Sequence, residues 1–271
     1  MGLLFGVALV CGIVLTITSI FFAVKEDEKA AEIRECLPGA NCGACGYTGC
    51  DGYAKALSEG TVEATNLCVP GGDKVARDIA DILGVEAGAV VEQVAFVACN
   101  GVCGAVERKY SYVGPKSCIA ANLSYNGDKF CTAACLGYGD CMSSCPNDAI
   151  CVSDGVARID TSKCTGCGQC ARACPKHLII LVPDVRRTIV RCSNKEKGAI
   201  ARKKCSNSCI ACKKCEKACK HDAIHVIDNV AQIDFVKCID CGECSAACPM
   251  GIISQQDLSG EHRYTGQADE T

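Results

Sequence analysis

Four cysteines at gaps of two, two and three residues, closed by a proline, set the terms for any fold this chain can adopt. The run is "CTGCGQCARACP", from Cys164 to Pro175, and the same spacing returns at Cys209 and at Cys238. Cysteine fills 28 of 271 positions, far above ordinary usage of this residue. Three chemistries compete for so many thiols. Disulfide scaffolds are usually short and secreted. This chain is long, and neighbouring thiols of a tight triplet are poorly placed to pair with distant partners. Zinc sites draw on two separated Cys-x-x-Cys pairs, not on a triplet with an offset fourth. Iron–sulfur ligation is the reading the spacing favours. Tryptophan is absent and aromatic residues make up only 5%. The core would then lean on inorganic clusters, and folding should depend on cofactor. Net charge is −3, which names no partner. Length allows one to three domains.

The N-terminal stretch from Leu3 to Val24, "LLFGVALVCGIVLTITSIFFAV", carries no charge over 22 residues. As a helix it would reach about 33 Å, enough to cross a bilayer. A cleaved signal peptide needs a basic start and a shorter apolar core. A retained single-span anchor is the expectation for residues 1–24, followed by a charged juxtamembrane stretch at 25–35, a solvated helix or hinge. Free thiols in such number belong in a reducing compartment. The cluster domains are therefore expected on the cytoplasmic face of the cell membrane.

Residues 36–95 form a first module. Cys42, Cys45 and Cys50 crowd the glycine-rich loop "CLPGANCGACGYTGC", and Cys68 follows after a short helix. Four thiolates suit one 4Fe-4S site, with a zinc knuckle as the alternative. Asp51 to Glu59 is expected to open a helix, and Asp73 to Leu83 to form an amphipathic one.

The rest of the chain repeats, as residues 96–183 and 184–254, before a polar tail at 255–271. Each unit opens with a strand-like run ending in cysteine ("FVAC", "IVRC"). Each then has a cysteine cluster, a hairpin and a second cluster. The hairpins turn at Asp154-Gly155 and Asp228-Asn229. In the bacterial two-cluster ferredoxin run, three cysteines hold one cluster and the fourth ligates the other. On that rule Cys209, Cys212 and Cys215 share a site with Cys248. Cys238, Cys241 and Cys244 share one with Cys219. Cys164, Cys167 and Cys170 share one with Cys145. The fourth site of the two units lacks its middle thiol, because Tyr138 stands where Cys212 stands in the second unit. Its expected ligands are Cys131, Cys135, Cys141 and Cys174. Five 4Fe-4S clusters use twenty cysteines. A sixth, drawn from Cys99, Cys103, Cys118, Cys192 and Cys205, competes with buried thiols acting as small hydrophobes. The expected class is α+β: one transmembrane helix, a small α-rich 4Fe-4S domain, then two bacterial-type two-cluster ferredoxin-like units.

Several blocks carry a resemblance: "LPGANCGACGYTGC", "CVPGGDKVA", "GDCMSSCPNDAI", "CTGCGQCARACPKHLIILVP" and "CIACKKCEKACKHDAI". The chain resembles the RnfB family, the cluster-bearing subunits of Rnf complexes, in its long form with two ferredoxin-type units. Rnf complexes are membrane ferredoxin:NAD+ oxidoreductases. The resemblance implies an electron relay that accepts electrons from reduced ferredoxin. It also implies the partners RnfA, RnfC, RnfD, RnfE and RnfG, a bilayer, and transport of Na+ or H+ driven by electron flow. The same relay run in reverse, or an iron–sulfur carrier or sensor outside any complex, are the other readings.

No Gly-x-Gly-x-x-Gly follows a strand and no phosphate loop is present, so no flavin or NAD site is expected on this chain. No catalytic residue set stands out. His221 and His225 flank a cluster loop and are expected beside ligands rather than as ligands. Between Arg186 and Lys220 lie twelve Lys or Arg against two acids, Glu196 and Glu216. A basic face beside clusters would steer an acidic electron carrier. Lys195, Lys197, Arg202, Lys203, Lys204, Lys213 and Lys214 are the candidate ferredoxin dock, against the plainer reading of a solvated loop. Nucleic acid is a poor partner for a chain so short of stacking aromatics.

Overall fold

The computed structural model of this chain describes residues 6, 9, 11–17, 27–184 and 188–255. Most of the expected anchor, Leu3 to Val24, lies outside them; residues 11–17 are helical and exposed. Among the described residues no helix is long and apolar enough to cross a membrane. The expected tail also lies outside them, apart from Gln255.

The charged juxtamembrane stretch contains a helix, Glu28–Cys36, the first of its two expected forms. Asp27 caps it, accepting the Lys29 N–H at 3.1 Å. Its one apolar ridge decides its fate: Ile33 is fully buried with Tyr53, Leu57 and Ile79. Arg34 pairs with Asp51 at 2.6 Å on the next helix, Cys50–Ser58. The charges that suggested a solvated helix or hinge occupy the outer faces of a helix docked on the first module. The amphipathic helix Gly72–Leu83 closes the module and ends at Gly84, which is left-handed at φ 70°. Tyr53 is 1% exposed, and its hydroxyl donates to the Ala64 carbonyl at 2.7 Å.

The two repeats fold alike. In the first, β1 (Gln93–Val97), β2 (Ile150–Ser153), β3 (Val156–Ile159) and β4 (Ile179–Pro183) form two antiparallel pairs. β1 pairs with β4, Gln93 opposite Pro183, and β2 pairs with β3, Ile150 opposite Ile159. In the second, β5 (Thr188–Val190), β6 (Ile224–Ile227), β7 (Val230–Ile233) and β8 (Ile253–Gln255) pair the same way, first with last and hairpin within. Both hairpins turn on two left-handed residues. Asp154 and Gly155 have φ 50° and 71°, Asp228 and Asn229 have 49° and 65°. That geometry is a type I′ turn, which matches the twist of the flanking strands and suits Asp, Asn and Gly.

β1 is buried on both faces, with period two. Ala95 and Val97 face a core that includes Cys99, Cys135 and Cys170. Val94, Phe96 and Ala98 face Val182 and Ile189, with Phe235 of the second repeat packed alongside. Burying Phe96 alone is worth about 2–3 kcal/mol. β1 therefore joins the repeats while forming one wall of a cysteine-lined hollow. The loop after Cys164 fits closely beneath it: Gly166 has φ 65°, and a Cβ there would lie 2.4 Å from the Gln93 carbonyl oxygen.

Candidate metal centres

Four hollows between the strand pairs and the cysteine loops are walled by thiols and aliphatic side chains. Cys145, Cys164, Cys167 and Cys170 line one of about 310 Å³ with Ala95, Ile150 and Ile159. Cys209, Cys212, Cys215 and Cys248 line another of about 310 Å³. Cys219, Cys238, Cys241 and Cys244 line a third of about 340 Å³, with His221 at its edge. Each of these three sets is one triplet with the offset cysteine of the neighbouring motif.

Short helices make the crossing. Cys170 lies in the helix Gln169–Ala173, and Cys174 follows as its extended C-cap at φ −83° and ψ 108°. In a continued helix two residues four apart would share one face. The break at Cys174 sends its thiol into the other hollow of the unit. Cys215 and Cys219 repeat this around the helix Lys214–Ala218.

The fourth hollow, about 360 Å³, is lined by Cys118, Cys135, Cys141 and Cys174. Cys118 stands there in place of the expected Cys131, which lies elsewhere. The physical reason begins at Tyr138. Its hydroxyl donates to Asp128 at 3.0 Å, Arg108 pairs with the same carboxylate, and its ring sits 5.6 Å from Tyr112. With the middle position of the loop committed to that cluster, the helix Cys118–Leu123 supplies the missing thiol. Asp140, next to Cys141, holds the helix in place. It accepts the N–H of Cys118 at 2.8 Å, the N–H of Ile119 at 3.0 Å and the Ser117 hydroxyl at 2.9 Å. Burial pushes the Asp140 carboxyl up, but these donors outweigh it and hold it below its ordinary value. The available signal in the sequence was Ser117, a helix N-cap immediately before a cysteine.

The donor sets fit iron–sulfur cubes better than single ions. A tetrahedral zinc needs four sulfurs about 2.3 Å from one point. Among the described residues no three His, Cys, Asp or Glu converge in that way. Backbone N–H groups also aim at the sulfurs: Ala95 at Cys164, Ala149 at Cys145 and Ala223 at Cys219, each at 3.4 Å. Such donors stabilise thiolates and tune cluster potential. Burial pushes the Cys141 thiol up to about 12, and the Cys170, Cys215 and Cys244 thiols up to about 11. These thiols keep their protons until a cation replaces them.

In the first module Cys50 and Cys68 are both 8% exposed, with Cys45 packed against the same core. The Cys68 thiol is pushed up to about 11, by burial first and then by Cys50, Cys42 and Cys45 nearby. The Cys50 N–H donates to Asn41 Oδ1 at 2.9 Å, which fixes the loop against the helix start. Cys36 borders this core, its thiol directed to the Glu32 carbonyl. Of the five cysteines considered for a sixth site, Cys118 lines the fourth hollow and Cys103 is exposed. Cys99, Cys192 and Cys205 lie with Cys131 between the repeats.

The basic stretch is partly self-neutralised. Lys195 pairs with Asp228 at 3.1 Å, Lys213 with Glu216 at 3.8 Å, and Lys204 with Glu196. Lys197, Arg202, Lys203 and Lys214 are exposed, with no ion pair among the described residues. They lie in and beside the helix Gly198–Lys204 and the loop that carries the exposed Cys212. His225 faces Glu216 and Asp222.

Comparison with known proteins agrees with this chemistry. Three family models match: "Putative Fe-S cluster" over residues 37–70, "4Fe-4S binding domain" over 157–180 and "4Fe-4S dicluster domain" over 208–253. The B component of the Na(+)-translocating ferredoxin:NAD(+) oxidoreductase complex of Acetobacterium woodii is 45% identical over 254 residues, 93% of this chain and 76% of that protein. The B component of the proton-translocating ferredoxin:NAD(+) oxidoreductase complex of Clostridium ljungdahlii is 38% identical over 97% of this chain and 95% of its own length. The B component of the ion-translocating oxidoreductase complex of Methanosarcina acetivorans is 35% identical over 93% and 96%.

Proposed function

We propose, from the premise that this chain belongs to the RnfB family of ion-translocating ferredoxin:NAD+ oxidoreductase complexes, that it is the complex's electron-entry relay. Reduced ferredoxin is the donor, and the acceptors are the membrane subunits among RnfA, RnfC, RnfD, RnfE and RnfG. Electron flow is coupled there to transport of Na+ or H+.

Twenty cysteines hold five 4Fe-4S clusters: Cys42, Cys45, Cys50 and Cys68 in the first module, and the four sets lining the hollows. The clusters supply one-electron storage at each site. The chain's own residues do the rest. Paired thiols on one short helix, Cys170 with Cys174 and Cys215 with Cys219, hold neighbouring sites close. Aliphatic walls such as Ile150, Ile159, Ile224 and Ile233 keep water from the sulfurs. Exposed Cys212 and Cys241 bring two sites to the surface, where a partner can approach. Lys197, Arg202, Lys203 and Lys214 steer an acidic ferredoxin toward Cys212. The N-terminal span holds the relay at the cytoplasmic face of the membrane.

The crossed sharing of thiols between adjacent hollows carries this reading, because catalysis at a lone centre would have no need of paired sites. The test is anaerobic iron and acid-labile sulfide per chain, with paramagnetic resonance before and after reduced ferredoxin is added. Cluster signals that appear on mixing are expected. Iron-loaded protein that ferredoxin leaves oxidised would remove the proposed donor, and zinc in place of iron would remove the relay.

A further inference from the structure

A fifth group of four thiols in the repeats lies outside every hollow described above. Cys99 and Cys131 come from the first repeat, Cys192 and Cys205 from the second. Cys99, Cys131 and Cys205 are 5–6% exposed and Cys192 is half-buried. Cys99, Cys131 and Cys205 share one buried core, Cys192 packs against the core of the second repeat, and the side chain of Asn194, two residues on from Cys192, reaches Cys131 Sγ at 3.6 Å.

Their local geometry repeats. Gly101 donates its N–H to Cys99 Sγ at 3.3 Å. Backbone N–H groups of Ala133, Asn194 and Asn207 likewise offset the rise that burial imposes on the Cys131, Cys192 and Cys205 thiols. At each of the four the N–H concerned belongs to the residue two positions on, as at Cys238, which accepts the Asp240 N–H at 3.5 Å in the hollow near His221. A buried thiol acting as a small hydrophobe has no need of such a turn. The Asn194 side chain adds a further donor to Cys131 Sγ at 3.6 Å.

Bonds between the repeats surround the group. Ser193 Oγ donates to the Ala98 carbonyl at 3.0 Å, and Asn207 Nδ2 to the Asn100 carbonyl at 3.0 Å. The Ser206 N–H donates to the Ala105 carbonyl at 2.8 Å, beside a bridge of Val106 with Cys205. Lys129 is buried nearby at 3% exposure, its Nζ donating only to the carbonyls of Gly155 and Gly101, with no salt bridge among the described residues. A buried ammonium beside neutral thiols would lack a counter-charge. Thiolates at Cys205 and at Cys135 of the fourth hollow would both supply one.

We propose that Cys99, Cys131, Cys192 and Cys205 hold a sixth 4Fe-4S cluster at the seam between the two ferredoxin-like units. The site is wired symmetrically. Cys99 Sγ accepts the N–H of Cys135 at 3.4 Å, and Cys192 Sγ accepts the N–H of Cys209 at 3.3 Å. Cys135 and Cys209 each line a hollow, one in each unit. The seam is thus one hydrogen bond from a neighbouring centre on either side. One electron, supplied by reduced ferredoxin, enters from one side and one leaves to the other. No bond is broken and no proton moves. The inference rests on the relay reading and extends it, since it makes the two units one conductor.

The test uses the full chain, purified without oxygen. Iron and acid-labile sulfide should each approach about 24 per chain. Cys99→Ala with Cys205→Ala, and separately Cys131→Ala, should each remove about four iron and four sulfide. Cys103→Ala with Cys151→Ala, both exposed, should remove none. About 20 iron in the parent chain overturns the sixth cluster and leaves the relay standing, whatever the variants do. One zinc per chain, lost in Cys131→Ala, overturns it in favour of a structural ion. Absence of iron throughout overturns the relay itself. If a seam variant loses more than its share by unfolding, the parent count still decides.

Discussion

The carboxylate of Asp140 accepts the backbone N–H of Cys118 at 2.8 Å, across 22 residues of chain, and so fixes a thiol that no cysteine motif contains. Asp140→Ala removes this bond together with those from Ile119 and Ser117. Loss of a cap of this kind costs about 1–2 kcal/mol. The helix Cys118–Leu123 should then fray, and the fourth hollow should lose its iron first in air. Iron remaining per chain after timed exposure checks this. Cys118→Ala should lower the anaerobic count by about four. An unchanged count would return that ligand position to another residue.

Tyr138 occupies a ligand position but serves Asp128, which is fully buried and also paired with Arg108. Tyr138→Phe removes one donor to a buried carboxylate and should cost about 1–2 kcal/mol. Asp128→Ala should cost more, about 2–4 kcal/mol, because Tyr138 and Arg108 both lose their acceptor. Neither substitution touches a thiol. The temperature of thermal inactivation under anaerobic conditions should fall in the order parent, Tyr138→Phe, Asp128→Ala, with the parent's iron content retained at low temperature. Early iron loss in Tyr138→Phe would mean that its ring, not its hydroxyl, supports the hollow.

Three of the four hollows were legible in the spacing of the cysteines, because gaps of two and three residues dictate local loops and one crossing thiol. Both hairpins were legible as well, since Asp-Gly and Asp-Asn between alternating apolar residues leave few other turns. Cys118 was not. Its role depends on a carboxylate 22 positions away and on a tyrosine that displaced the usual ligand, and no local pattern encodes either. Cys131 was misplaced for the same reason, its partners being contributed by both repeats. The docking of the helix Glu28–Cys36 was hidden by composition: one isoleucine among charges looks solvated until a partner surface covers it. Paired lysines such as Lys195 and Lys204 were counted as free charge because their acids lie outside the basic run or are outnumbered within it.

The cations left without salt bridges predict a narrower ferredoxin dock than the whole basic stretch. Lys197→Glu, Arg202→Glu, Lys203→Glu and Lys214→Glu together should lower the second-order rate of reduction by ferredoxin about tenfold or more at low salt. The difference should shrink as ionic strength rises, since charges on an open surface are screened within about 10 Å at 0.1 M. Reversal of Lys195 and Lys204 should do less to the encounter, because each already faces a carboxylate. Equal rates for the fourfold variant and the parent at every salt concentration would place the dock elsewhere.

Ile33 makes the last prediction. It is fully buried in the core that also contains Cys50 and Cys68, yet it belongs to the segment that would connect a membrane span to the first module. Ile33→Ala leaves a cavity beneath Tyr53, Leu57 and Ile79 and should cost about 2–4 kcal/mol. Release of the helix would loosen the Arg34–Asp51 contact at the start of the cysteine helix, so the first module should shed its iron while the repeats keep theirs. Ile33→Val, a much smaller loss of volume, should cost about 1 kcal/mol and keep the iron. Limited proteolysis should cut Ile33→Ala near residues 36–41 and spare the parent. Resistance of both proteins to the protease would mean that the helix is held by its charges, and that the buried side chain contributes little to the docking.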